Sequence, residues 1–127
     1  MKTLILAAAM AAALAAQERP SPASGAAMYR AYCASCHGVQ GKGDGPAAPA
    51  LKHRPADLTT LAKQSGGKFP AVRVFQSVEG DAAIAAHGSR EMPVWGTALR
   101  RAGADNEAAL KLRVRNLVRY IESIQVK

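Results

Sequence analysis

The chain has 127 residues, the usual size of one domain and too short for two ordinary ones. Hydrophobic residues make up 49% of it and charged residues 20%, which excludes wholesale disorder, yet the aromatic side chains number only two Phe, three Tyr and one Trp, so a core built from this inventory alone is thin. Seventeen Lys and Arg against nine Asp and Glu give a formal net charge of +8 that favours acidic partners or anionic surfaces, and the scatter of those bases along the chain argues against nucleic acid.

Taken in chain order, Met1 to Ala16 reads as an export signal. Lys2 supplies the positive start, Leu4 to Leu14 is continuously apolar, and Ala13-Leu14-Ala15 offers a small-x-small cleavage site. The apolar stretch falls short of the ~20 residues that span a bilayer, and no cysteine stands at the cleavage site for lipid attachment. Cleavage would leave a protein in the periplasm with no stable membrane anchor. Residues 17–24, with Pro20 and Pro22, form a flexible lead-in, and 25–127 is a single domain without internal repeats.

Ser24 can cap a helix that runs through Gly25, Met28, Tyr29 and Tyr32 to the cysteines. A loop rich in Gly, Pro and Ala follows from Gly38 to Pro55. Asp57 can cap a short helix through Leu58, Leu61 and Ala62 that ends at Gly66-Gly67. Val72, Phe75 and Val78 lie close to helical spacing, with Pro70 allowed in the first turn. Gly80 to Thr97 reads as loop and contains His87, Met92, Pro93 and Trp95. The clearest element is the last: Asp105 or Asn106 caps an amphipathic helix with Leu110, Val114, Leu117, Val118, Ile121 and Ile124 on its apolar face. No stretch reads as a strand, so the fold is small and all-α with long loops, and such loops are usually functional.

Cys33-Ala34-Ser35-Cys36-His37 is a C-x-x-C-H haem-attachment sequence. Two thiols three residues apart at a helix end can each add to one vinyl group of a single haem, and the next residue brings an imidazole under the iron. A thioredoxin-like thiol pair competes with this, but it belongs before a helix in a chain that alternates strands and helices. Half of a zinc site also competes, and would need His53 or His87 to complete it. Export and the thin core favour one covalent haem c with its iron.

With these residues in place the mature chain resembles the class I c-type cytochromes over nearly its whole length. The resemblance implies a small cytochrome c fold of about four helices wrapped around the haem. Gly25 and Tyr29 stand where that family has the small and aromatic positions of its first helix, and Leu117 and Tyr120 match their partners on the last. The stretch His87 to Gly96 resembles a Met-Pro-x-Trp-Gly loop, which implies Met92 as the sixth iron ligand and Trp95 packed on the haem; Met28 stands on the helix that leads into Cys33. A thioether favours Fe(II) and so raises the reduction potential. In that family a proline carbonyl accepts the Nδ1 proton of the proximal histidine and a leucine two residues on packs on the haem. Pro49 and Leu51 match that pair, with Pro46 as a rival.

The function implied is a monomeric periplasmic electron carrier rather than an enzyme. It would dock briefly on redox proteins with acidic patches, steered by Lys42, Lys52, Arg54 and Arg90. Two alternatives stay open: a haem c subunit of a larger redox enzyme, and a ligand-binding or peroxidase-like haem protein if Met92 is labile. His53 and His87 read as loop histidines; His87 could also bond a propionate or replace Met92.

Overall fold

The computed structural model describes residues 24–80 and 92–127. The expected signal and nearly all of the lead-in lie outside the described residues, as do His87 and Arg90. Among the described residues there are six α-helices and no strand, so the chain is all-α. Two of the six are single turns, which accounts for the excess over the four expected.

Helix α1, Gly25–Tyr32, begins where Ser24 Oγ accepts the Ala27 N–H at 3.1 Å. The chain breaks at Cys33 and continues as the single turn α2, Ala34–His37. After the glycine-rich loop, which contains a short 3-10 turn at Ala48–Ala50, Asp57 Oδ1 accepts the Thr59 N–H at 2.9 Å and starts a second 3-10 turn, Leu58–Thr60. That turn runs into α3, Leu61–Gln64. Helix α4 spans Ala71–Glu79 and α6 spans Glu107–Ser123, the latter capped by Asn106 rather than Asp105. Between them lies α5, Trp95–Arg101, where the sequence reads as loop as far as Thr97. Its N-cap is Val94, which has no capping side chain, and Leu99 is its one fully buried apolar side chain, so the usual helix signals are absent.

The most extensive packing joins α1 to α6, the first and last helices among the described residues. Gly25 makes it possible: a Cβ there would collide with the Asn116 carbonyl oxygen and lie 2.9 Å from Tyr120 Cβ. The partners of Gly25 are therefore Asn116 and Tyr120, while Leu117 points into the core. Beside this crossing the Tyr29 and Tyr120 rings lie 5.1 Å apart at 47°, a tilted arrangement that aromatic pairs favour. The Tyr29 hydroxyl donates to the Gly38 carbonyl at 2.7 Å, and burial raises its pKa well above the ordinary tyrosine value, so it stays a donor. Leu110, Val114, Leu117 and Ile121 are fully buried on α6, each contributing about 1.5–3 kcal/mol of burial. No helix among the described residues is long and apolar enough to cross a membrane.

Candidate functional site

The end of α1 delivers Cys33 into the interior, and α2 then turns so that the His37 N–H reaches the Cys33 carbonyl at 2.9 Å. The loop that follows returns along this motif in backbone contact. Gly43 N donates to the His37 carbonyl (2.8 Å), Gly45 N to Cys36 (3.1 Å) and Ala47 N to Ser35 (2.9 Å). The contact is too close for side chains: a Cβ on Gly45 would overlap the Ser35 carbonyl oxygen, and one on Gly43, whose φ is +74°, would overlap that of Pro55.

His37 is only 9% exposed, and its Nδ1 lies 3.0 Å from the Ala56 carbonyl oxygen. A carbonyl can only accept, so Nδ1 carries a proton, and in the neutral ring the lone pair is on Nε2. This corrects the sequence expectation for Pro49, and for Pro46 as its rival: the acceptor is Ala56. The physical reason is the ladder from Gly43 to Ala47, which binds that part of the loop to the motif's own backbone. Pro49 then falls in the Ala48–Ala50 turn and is exposed, and the chain comes back past His37 only at Pro55-Ala56.

Two adjoining cavities open beside His37. One, of about 200 Å³, is lined by Tyr32, Cys33, Cys36, His37, Leu51, Met92 and Trp95, with His53, Arg54, Pro55, Ala56 and Pro93 completing it. The other, of about 210 Å³, is lined by Cys33, His37, Ala56 and Met92 together with Leu58, Leu61, Val74, Val78 and Ile121, and by Arg73 and Ser77. The structure thus brings Cys33, Cys36, His37, Leu51, Met92 and Trp95 to one place and leaves Pro49 outside it. Met92 borders both spaces and is 39% exposed. Arg54 and His53 sit on the wall although both are exposed, whereas Lys42 and Lys52 are exposed and line neither cavity.

Sequence reasoning missed several wall residues. Tyr32 packs on Trp95 with ring centroids 5.6 Å apart, and an aromatic next to Cys33 is a signal that could have found it. Leu58, Leu61 and Ile121 were legible as apolar helix positions but not as cavity lining. The Ala56 carbonyl is backbone, and no side-chain pattern marks it.

The donor set fits a covalently held haem. Cys33 and Cys36 are both free thiols rather than a disulfide. Burial, and to a lesser extent the neighbouring Cys36, push the Cys33 thiol up to about 12, so it is protonated at neutral pH. That is the opposite of the lowered thiol of a thioredoxin-like pair. Among the described residues no three His, Cys, Asp or Glu side chains gather as a metal-ion site would need. What remains is two thiols, an imidazole with its lone pair available, and a thioether, all bordering one largely apolar space.

Residues 20–109 match the family of cytochrome c oxidase, cbb3-type, subunit III. The chain belongs to this family of c-type cytochrome domains. Neither a curated protein nor a solved structure matches it. The match runs from the lead-in through α5 into the first turn of α6, and so includes both cysteines, His37 and Met92. As a class I c-type cytochrome the protein carries covalently bound haem c with its iron, and takes part in haem-based electron transfer on its own or within a redox complex.

Proposed function

We propose that this cytochrome would hold a haem c through Cys33 and Cys36, with His37 and Met92 as the iron's protein ligands, and would carry one electron at a time. The observation that carries this is the shared border of the two cavities: Cys33, His37 and Met92 line both, and Cys36 lines the one that also holds Trp95. Haem c supplies a single reversible Fe(III)/Fe(II) couple, which imidazole and thioether ligation would hold at a raised potential. Around it, the Ala56 carbonyl orients His37, Trp95 and Leu51 pack as apolar walls, and Tyr32 braces Trp95. With His37 and Met92 holding the iron, the protein would exclude water, tune the potential and present an edge to partners.

The exposed cations Lys42, Lys52 and Arg54 would steer acidic partners, with weak docking that permits fast release. The proposal extends to export to the periplasm, with residues 1–16 removed, 17–24 left as a lead-in and 25–127 as the single working domain. The family description also favours a fixed role, as the haem c subunit of a larger oxidase. Lys52→Glu separates the two: a diffusing carrier loses association rate and salt dependence, whereas a permanently held subunit barely responds.

The optical spectrum of the mature holoprotein, oxidised and reduced, with and without CO, tests the ligand set. A reduced spectrum unmoved by CO and a weak far-red sulfur-to-iron band in the oxidised form are expected, and Met92→Ala should abolish that band. A ready shift with CO in the unaltered protein would instead give Met92 up as a firm ligand and bring a ligand-binding role forward. Failure to attach haem covalently would end the proposal.

A further inference from the structure

The chain's last residues reach back to the wall of the haem cavity. Just beyond α6, the Gln125 side chain turns inward: Nε2 donates to the Leu58 carbonyl at 2.6 Å and the Ile121 carbonyl at 2.8 Å, and Oε1 accepts the Ala62 N–H at 2.9 Å. Only one orientation of the amide satisfies all three partners, because two are acceptors and one is a donor. The neighbouring Val126 N–H adds a bond to the Thr59 carbonyl at 2.8 Å. The 58–62 turn is therefore stitched to the C-terminus, and Leu58 and Leu61 of that turn line the cavity.

Two residues before Leu58 stands Ala56, whose carbonyl receives His37 Nδ1–H. The short segment between them is held from two sides. On one side Leu58 N donates to the Gly41 carbonyl at 2.7 Å, and Gly43 lies against Pro55; on the other side is Gln125. With the Gln125 side chain removed, the segment keeps its link to the glycine loop and the Val126 N–H bond to Thr59, but loses the three side-chain bonds that tie it to the end of α6.

We propose that Gln125 is a positioning residue for the proximal ligand: by pinning the 58–62 turn it keeps the Ala56 carbonyl against His37 Nδ1, and so sets the orientation and donor strength of the imidazole. This rests on His37 being the iron ligand. A looser Nδ1–H bond leaves the imidazole a poorer donor to Fe(III) and moves the reduction potential up. It also exposes the Nδ1 proton to exchange with solvent.

The test uses the reduced, diamagnetic holoprotein, following hydrogen exchange of the His37 Nδ1–H by NMR alongside the reduction potential. Gln125→Met keeps the side-chain length and removes all three bonds. Asn106→Ala is the control, because it weakens the far end of α6 without touching the wall. The expected result is exchange about tenfold faster or more in Gln125→Met than in the control at matched global stability, as loss of hydrogen bonds of ordinary strength would give, together with a raised potential. If Gln125→Met does not accumulate with haem, Gln125→Glu carries the same test, since it keeps the acceptor for Ala62 N and removes the donors to Leu58 and Ile121. Exchange no faster than in the control, with an unmoved potential, overturns the proposal and leaves Gln125 a structural residue. Absence of any haem-shifted His37 Nδ1–H in the unaltered protein overturns the ligand assignment, and this proposal with it.

Discussion

The two sides of the haem cavity are built by different means. On the His37 side nearly every constraint is backbone: three N–H groups of the glycine loop bond the carbonyls of Ser35, Cys36 and His37, and a fourth carbonyl, from Ala56, fixes the imidazole. On the Met92 side the chain from Met92 to Val94 is exposed, Val94 by 57%, and what anchors it is the Trp95 ring on Tyr32, the Val94 side chain against Gly80, and the approach of Gly96 to the Glu79 carbonyl. Backbone bonding in close contact tolerates no added atom and holds the imidazole closely. Met92 itself has no such backbone bond among the described residues, so its side chain can move away without unfolding the rest. On the proposed ligand set, the imidazole is the firmly held group and the thioether the more easily lost one.

The sharpest way to break the comparison is on the rigid side. Gly45→Ala should cost about 3 kcal/mol or more, because its Cβ meets the carbonyl oxygens of Ser35 and Ala34 and the backbone must move. Denaturant unfolding of the holoprotein measures it, and a cost near zero would mean the loop is not in rigid contact with the motif. Next in size is Tyr32→Leu, which removes the ring under Trp95 and should cost about 0.5–1.5 kcal/mol beyond the lost area. Its signature is selective: weakening of the far-red sulfur-to-iron band and easier CO binding, with the Nδ1–H of His37 unaffected.

Asp57 gives a third handle. The Thr59 hydroxyl bond, first, then the Thr59 N–H and the nearby Lys42 and Arg54, hold its carboxyl below the ordinary aspartate range despite some desolvation. A depressed folded pKa contributes stability that is present above the ordinary pKa of about 3.9 and is lost as pH falls through the lowered value. Asp57→Ala should therefore cost about 1 kcal/mol at neutral pH, as lost caps do, and the gap to the unaltered protein should narrow as the medium is acidified. Thermal midpoints across the acid range read this directly. The smallest effect is expected at Val94→Ala, within about 0.5 kcal/mol, since the side chain is mostly in water. A much larger cost there would show the Met92 side to be more tightly held than its exposure indicates.

Much of the fold was legible because its signals are local. Ser24, Asp57 and Asn106 each cap the element that their side-chain chemistry suggests, and the apolar spacing of α6 is regular from Leu110 to Ile121. Helix α5 was not legible, because Trp95 and Leu99 give too few periodic positions and Val94 offers no cap. At the site, side chains with distinctive chemistry (Cys33, Cys36, His37, Met92, Trp95) could be picked from the sequence, and the structure gathers them. The acceptor for His37 could not. A carbonyl has no residue type, and whether Pro49 or Ala56 reaches the ring depends on where a flexible loop first binds the motif. Gln125 escaped notice for a similar reason, since its three partners are all main-chain atoms up to 67 residues away.

The crossing of α1 and α6 at Gly25 has a topological consequence. Because the first and last helices grip each other, everything between them is a closed circuit strung from two fixed posts. Doubling the length of a flexible loop in such a circuit costs only about 0.6 kcal/mol of closure entropy. Segments such as the exposed Gly66–Lys68 turn, where a Cβ on either glycine would meet nothing, can therefore grow or shrink cheaply, re-shaping the surface while the posts stay where they are. Adding one methyl at Gly25 does the reverse: it changes almost no surface and pries the posts apart.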